Sequence, residues 1–184
     1  MAERLIDTLS QPAPLTRKLA FLDIEASGLG SRSWPVEAGW AFAEGGVSST
    51  LIRPDPSWSD DAWEEAAERL HGLDRARLER EGRRARDVCA EMNEALKDAD
   101  VYSDAPDWDG FWLFRLFSAC GVKQAFALKD YARLMRPLIE GKDEDEIMRR
   151  AARLAPRRHR AADDVRHLQT LYRLASENGG PRPA

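Results

Sequence analysis

The sequence predicts an α/β domain built on one mixed sheet of five strands, flanked by helices. Three observations predict it. Strand-like runs come first and consecutively, at 19–26, 36–43 and 47–53, which gives a three-stranded antiparallel start. Two short strand-like runs, 101–103 and 126–128, then alternate with helical stretches. The 184 residues and 43% hydrophobic content suit one globular core rather than a disordered chain.

The elements follow in order. Residues 1–17 read as a loosely held leader, with Pro12 and Pro14 against regular structure. Met1 to Pro14 has mixed charge and no apolar core segment, so no signal peptide is expected. No run approaches the roughly 18 apolar residues of a membrane helix, and a cytoplasmic location is the expectation. The first strand is Leu19-Ala-Phe21-Leu22-Asp23-Ile24-Glu25-Ala26, and the cluster Ser27-Gly28-Leu29-Gly30-Ser31 ends it in a turn. Gly45-Gly46 suits a hairpin turn between the second and third strands. A loop over 54–61 leads to short helices at 61–69 and 74–81. A better helix covers 84–97, with Val88, Met92, Ala95 and Leu96 on one stripe. A helix over 109–119 ends at Gly121. Helices are also expected at 130–138 and 143–154. The last opens at His159 or Arg160 and carries Val165, Leu168 and Tyr172 as its apolar stripe. A flexible tail covers 177–184, leaving 18–176 as the domain.

Composition excludes some classes of function. Cys89 and Cys120 are the only cysteines and have no CxxC spacing, which argues against a disulfide framework or zinc knuckle. Two reduced core cysteines are expected. The net charge of −4 does not announce a nucleic-acid binder. The charges are unevenly placed, however, and a near-neutral sum is compatible with a basic face beside an acidic pocket.

Chemistry is concentrated in three separated blocks. On the first strand, side chains alternate faces, so Asp23 and Glu25 point the same way, with Phe21 beside them and Leu22 and Ile24 opposite. Two like charges on one face of a buried strand raise each other's pKa, and a bound divalent cation would relieve the conflict. Two exposed side chains at a strand end would relieve it equally. The second block is Asp104-Ala-Pro-Asp107-Trp108-Asp109, just past a strand's carboxyl end, where α/β sheets place ligands. Ordinary capping of the next helix by Asp107 or Asp109 is the competing explanation. The third is His159-Arg-Ala-Ala-Asp163-Asp164. Five residues along a helix turn about 500°, so His159 and Asp164 converge only if His159 sits in the entering loop or first turn. The arginines at 149, 150, 153, 157, 158 and 160 suit phosphate contacts but read more simply as a solvated helix face.

Carboxylates and a histidine in this arrangement fit phosphodiester hydrolysis, in which two Mg²⁺ ions about 4 Å apart neutralise charge and activate water. The motifs resemble those of the DEDDh group of 3′–5′ exonucleases, which includes the polymerase III proofreading subunit, RNase T and oligoribonuclease. Phe21-Leu22-Asp23-Ile24-Glu25-Ala-Ser27-Gly28-Leu29 resembles the first motif, D-x-E-x-T-G-L, with Ser27 in place of threonine. Val36-Glu37 resembles the following strand, and Leu70-His71-Gly72-Leu73 a recurrent His-Gly-Ile element. Trp108-Asp109 resembles the aromatic-Asp pair of the second motif. His159-Arg160-Ala161-Ala162-Asp163-Asp164 fits the third, H-x-A-x-x-D. The likeness spans residues 18–172.

The resemblance implies an RNase H-like fold and two divalent cations, Mg²⁺ or Mn²⁺. It implies Asp23, Glu25, Asp109 and Asp164 as metal ligands and His159 as catalytic base. It implies that the backbone around Ser27, Gly28 and Leu29 binds the terminal nucleotide, with Leu29 against its base. The expected partner is a single-stranded 3′ end of RNA or DNA, and nucleoside 5′-monophosphates are the expected products. A homodimer is compatible with the group. One departure stands out: the asparagine expected four residues before the second aspartate is Ala105, with Ser103 and Asp104 as neighbouring replacements. Asp107 and Asp163 remain competing ligand candidates beside Asp109 and Asp164. The alternative function is a non-catalytic nucleic-acid-binding module on the same fold.

Overall fold

The computed structural model describes residues 17–177; the expected leader and tail lie outside them, apart from Arg17 and Glu177. Five strands form among these residues: β1 (Lys18–Ala26), β2 (Pro35–Phe42), β3 (Val47–Leu51), β4 (Ala99–Ser103) and β5 (Leu128–Asp130). Their order in the sheet is β3-β2-β1-β4-β5. β1–β2 and β2–β3 pair antiparallel, while β1–β4 and β4–β5 pair parallel. The mixed five-stranded sheet with an antiparallel start is therefore present. The fifth strand is displaced from 126–128, because Phe126 turns inward against Phe117 at a ring separation of 6.1 Å. Leu128, Lys129 and Asp130 instead pair with Val101, Tyr102 and Ser103.

Among the described residues, seven α-helices flank the sheet: α1 (Glu65–His71), α2 (Arg75–Glu81), α3 (Ala85–Leu96), α4 (Pro106–Cys120), α5 (Tyr131–Ile139), α6 (Glu144–Leu154) and α7 (Ala161–Ser176). The helix expected over 109–119 starts three residues earlier, with Pro106 in its first turn, where a missing N–H costs nothing. Gly121, at φ 61°, ends it in the left-handed conformation that favours glycine.

The alternation along β1 divides the interior. Leu22 and Ile24 enter a core with Trp34, Val36, Val88, Met92, Leu113 and Leu116, the last four from α3 and α4. Phe21 enters a second core with Tyr131, Met135, Ile147, Leu168 and Leu171 from α5, α6 and α7. Each such buried side chain contributes on the order of 1.5–3 kcal/mol, so β1 is held firmly from both faces. That rigidity fixes where Asp23 and Glu25 point.

Two local features shape the functional end of the sheet. The β1–β4 ladder stops at Phe21 and Tyr102, so β1 continues past it with a free edge. On the other side, α7 lies directly on β2. A Cβ at Gly39 would come within 2.6 Å of the Ala161 backbone, so only glycine allows this approach.

Candidate active site

Asp23 and Glu25 lie at the carboxyl end of β1, on the face that carries Phe21. Asp109 reaches them from the first turn of α4. Its Oδ1 accepts the Ile24 N–H at 3.2 Å, the backbone donor that β4 leaves unpaired. Its Oδ2 accepts from the Ser103 hydroxyl at the end of β4. Ser103 also receives the Ala105 N–H at 2.9 Å. Ser103 thus orients Asp109, a task the missing asparagine at 105 does not perform here. Capping does not explain Asp109, which lies inside α4 with its side chain buried. Asp107 is exposed in the same turn.

Asp164 enters from α7. Its Oδ1 accepts the Arg158 N–H at 3.1 Å. His159 sits in the loop before α7 at φ 52°, an uncommon conformation for a residue other than glycine. That loop placement allows the convergence the helical spacing would forbid. A ligand atom from each of Glu25, His159 and Asp164 lies within 4.8 Å of the other two. Asp163 turns away and pairs with Arg166 at 2.8 Å. His71 is a buried histidine, its Nδ1 accepting the Leu73 N–H at 3.1 Å.

The electrostatics are those of a site short of positive charge. Burial, then the charges of Asp109, Glu25 and Asp164, hold the Asp23 carboxyl well above the usual range. Glu25 is pushed up to about 8 by burial, with Asp164 and Glu37 adding to it. Burial pushes Asp109 up to about 7 against the lowering effect of Ser103. Asp164 is raised by burial, while the Arg158 N–H, Arg157 and His159 oppose the rise. Most telling, Asp23 Oδ2 is buried and has no hydrogen-bond partner among the described residues. A buried polar oxygen without a partner is costly, and a cation would satisfy it. Oxygen donors of this kind suit Mg²⁺ or Mn²⁺ rather than a soft metal. The donor set therefore fits divalent cations.

Several supporting residues carry no local sequence signal. Arg157 pairs with Asp104 at 2.5 Å and also faces the fields of Asp164 and Asp23, so it offsets part of the acid charge. Arg160 makes a bidentate contact with the buried Glu37, at 2.9 and 3.0 Å. The same Glu37 carboxylate accepts the Ala161 N–H at 3.1 Å, which anchors the start of α7. These two arginines depart from the solvated face read from their run, because each has an acidic partner at the end of a strand. Only packing distant in sequence reveals this.

The loop after β1 is also built from afar. Ser27 is fully buried, its hydroxyl donating to Ala62 O at 2.9 Å and accepting the Trp34 N–H at 3.0 Å. The side chain is therefore occupied, and only its backbone neighbours face outward. Leu29 is 64% exposed. The N–H groups of Leu29 and Gly30 donate to Glu64 Oε1 at 3.0 and 3.1 Å. A Cβ at Gly28 would meet the Glu64 carboxyl at 2.3 Å, so the loop's glycine leaves room for this brace. Of the tryptophans, Trp34, Trp40, Trp58 and Trp112 are buried, whereas Trp108 is 42% exposed and stacks on Trp112 at 5.5 Å.

The sheet order and the flanking helices define the fold, which is RNase H-like. Among solved structures, E. coli Exonuclease I in complex with a dT13 oligonucleotide is similar with a TM-score of 0.65, at 13% identity over 88% of this chain and 41% of that one. A further Exonuclease I structure gives 0.68 at 11% identity, over 86% of this chain and 40% of that one. The moderately thermophilic Exonuclease I of Methylocaldum szegediense gives 0.65 at 15% identity, over 88% and 41%. The chain thus spans about two fifths of the length of these proteins, and the likeness establishes the fold. No family model matches the sequence. No curated protein matches it either.

Proposed function

We propose that this chain is a metal-dependent 3′–5′ exonuclease acting on single-stranded nucleic-acid ends and releasing nucleoside 5′-monophosphates. The observation that carries the reading is the unpartnered, buried Oδ2 of Asp23 among four convergent acids. Such an oxygen is costly in a purely structural core, and a cation held by the four acids would satisfy it. The fold shared with Exonuclease I, a protein captured with dT13 and dA16 oligonucleotides, supports the same reading.

In this proposal Asp23, Glu25, Asp109 and Asp164 hold two divalent cations, Mg²⁺ or Mn²⁺. When bound, such cations neutralise the phosphate and lower the pKa of water. The exposed His159, beside Glu25 and Asp164, takes the proton from the attacking water. Its loop is fixed on one side by the Arg158 N–H to Asp164 and on the other by the Arg160–Glu37 clamp. Ser103 keeps Asp109 in one rotamer, so the ligand does not have to be ordered at each turnover. Backbone groups around Gly28 and the exposed Leu29 side chain receive the terminal nucleotide.

Matched 5′-labelled single-stranded RNA and DNA oligonucleotides, digested with Mn²⁺, test the proposal. The expected result is a ladder shortening from the 3′ end and lost in His159→Ala. Intact substrate with both Mg²⁺ and Mn²⁺ would transfer the assignment to a non-catalytic binding module.

A further inference from the structure

Away from the acids, α3 and α4 bring the two cysteines together. Cys89 is completely buried in α3, and Cys120 is half-buried in the last turn of α4. Their sulfurs lie 3.2 Å apart, although the residues are 31 apart in sequence. Both are free thiols. A disulfide needs the sulfurs at about 2.0 Å, so the two must approach by about 1.2 Å to bond. Cys120 also lines an open cavity of about 370 Å³, together with Arg53, Arg84 and Arg86. Arg86 donates to the Cys120 carbonyl at 3.0 Å, so its guanidinium is held beside this helix end. Cys120 is thus the member of the pair that borders an open cavity, whereas Cys89 is enclosed.

We propose that Cys89 and Cys120 form a redox-active pair, which a peroxide converts into a reversible disulfide between α3 and α4. The Cys120 thiolate attacks one peroxide oxygen. An S–O bond forms, the O–O bond breaks, hydroxide leaves, and the sulfur becomes a sulfenic acid. Cys89 then attacks that sulfur. The S–S bond forms, the S–O bond breaks, and the departing hydroxide takes the Cys89 proton to leave as water. In sum, two thiols lose two electrons and two protons, and one peroxide becomes two waters. Burial pushes the Cys89 thiol up, which disfavours it for the first attack. The pair is independent of the nuclease reading, because its chemistry uses none of the acids.

The test is intact-mass analysis of the folded, metal-free chain after exposure to millimolar hydrogen peroxide. The expected result is a loss of about 2 Da and a peptide linking Cys89 to Cys120, both reversed by dithiothreitol. Closing a loop of this size should raise the Tm by roughly 5–10 °C. Cys89→Ala should instead leave a sulfenic acid at Cys120 that dimedone traps, and Cys120→Ser should protect Cys89 from oxidation. Wild-type protein that only gains oxygen at Cys120, or that keeps both thiols, overturns the proposal. So does a linkage confined to pairs of molecules.

Discussion

Asp23 Oδ2 is buried, accepts no hydrogen bond from the described residues and faces the charges of Asp109, Glu25 and Asp164. Without a cation, that atom destabilises the fold. Replacing the carboxylate by an amide removes one charge from the cluster and supplies an N–H₂ donor to its neighbours. Asp23→Asn should therefore stabilise the metal-free protein by about 1–2 kcal/mol, as replacements at strained functional sites commonly do. The same change should cut Mn²⁺-dependent turnover by at least about 100-fold. Urea unfolding and oligonucleotide digestion measure the two effects on one sample. A variant that is less stable than wild type and equally active would mean that Asp23 is an ordinary structural carboxylate. Ser103 shows the same logic in reverse. Its hydroxyl is spent on Asp109 and the Ala105 N–H, so one small side chain sets both the Asp109 carboxylate and the entry to α4.

At the scale of elements, the start of α7 governs half of the site, since His159 precedes it and Asp164 lies in its first turn. Glu37 on β2 fixes that start through Arg160 and the Ala161 N–H. Its side chain is 3% exposed against 30% for Arg160, so water replaces only part of what a substitution removes. Glu37→Ala should cost about 2–4 kcal/mol in urea unfolding, because Arg160 loses its partner and Ala161 its acceptor. Mn²⁺ affinity should fall by about 10- to 100-fold, as when outer partners of metal ligands are lost. Affinity unchanged in a folded variant would show that α7 holds its own start. The sequence made the same-facing pair on β1 legible, because a period of two within one strand is a local property. It also showed that His159 could meet Asp164 only from the entering loop or the first turn of α7, and the structure selects the loop. It did not reveal the contact of Asp109 with Ile24, 85 residues away, or that of Glu37 with Arg160, 123 residues away. Such distances are set by packing of the sheet against helices on both faces, not by spacing. The earlier start of α4 and the shifted β5 were missed for a related reason. Pro106 and Phe126 read locally as loop and strand, but tertiary contacts give them other roles.

Across the whole molecule, a net charge of −4 hides a concentration of acids at one end of the sheet. This has a consequence for stability that metal should reverse. Glu25 moves from 4.5 up to about 8, and Asp109 from 3.8 up to about 7, chiefly through burial. Between about pH 5 and pH 8 the folded chain therefore binds more protons at these groups than the unfolded chain does. Their contribution to stability is fully present below the unfolded values and is lost as pH rises through the folded ones. The metal-free protein should accordingly melt at a lower temperature at pH 8 than at pH 6, and Glu25→Gln should flatten that dependence. Cation binding requires the same protons to leave, so Mn²⁺ binds better at the higher pH. At a concentration about 100 times its Kd, a cation adds about 2.7 kcal/mol, or roughly 5–10 °C for a chain of this size. Thermal unfolding at pH 6 and pH 8, with and without Mn²⁺, should show the larger metal-induced rise at pH 8. Equal rises at the two pH values would separate cation binding from these carboxyls, and no rise at either would remove the metal site on which the exonuclease assignment stands.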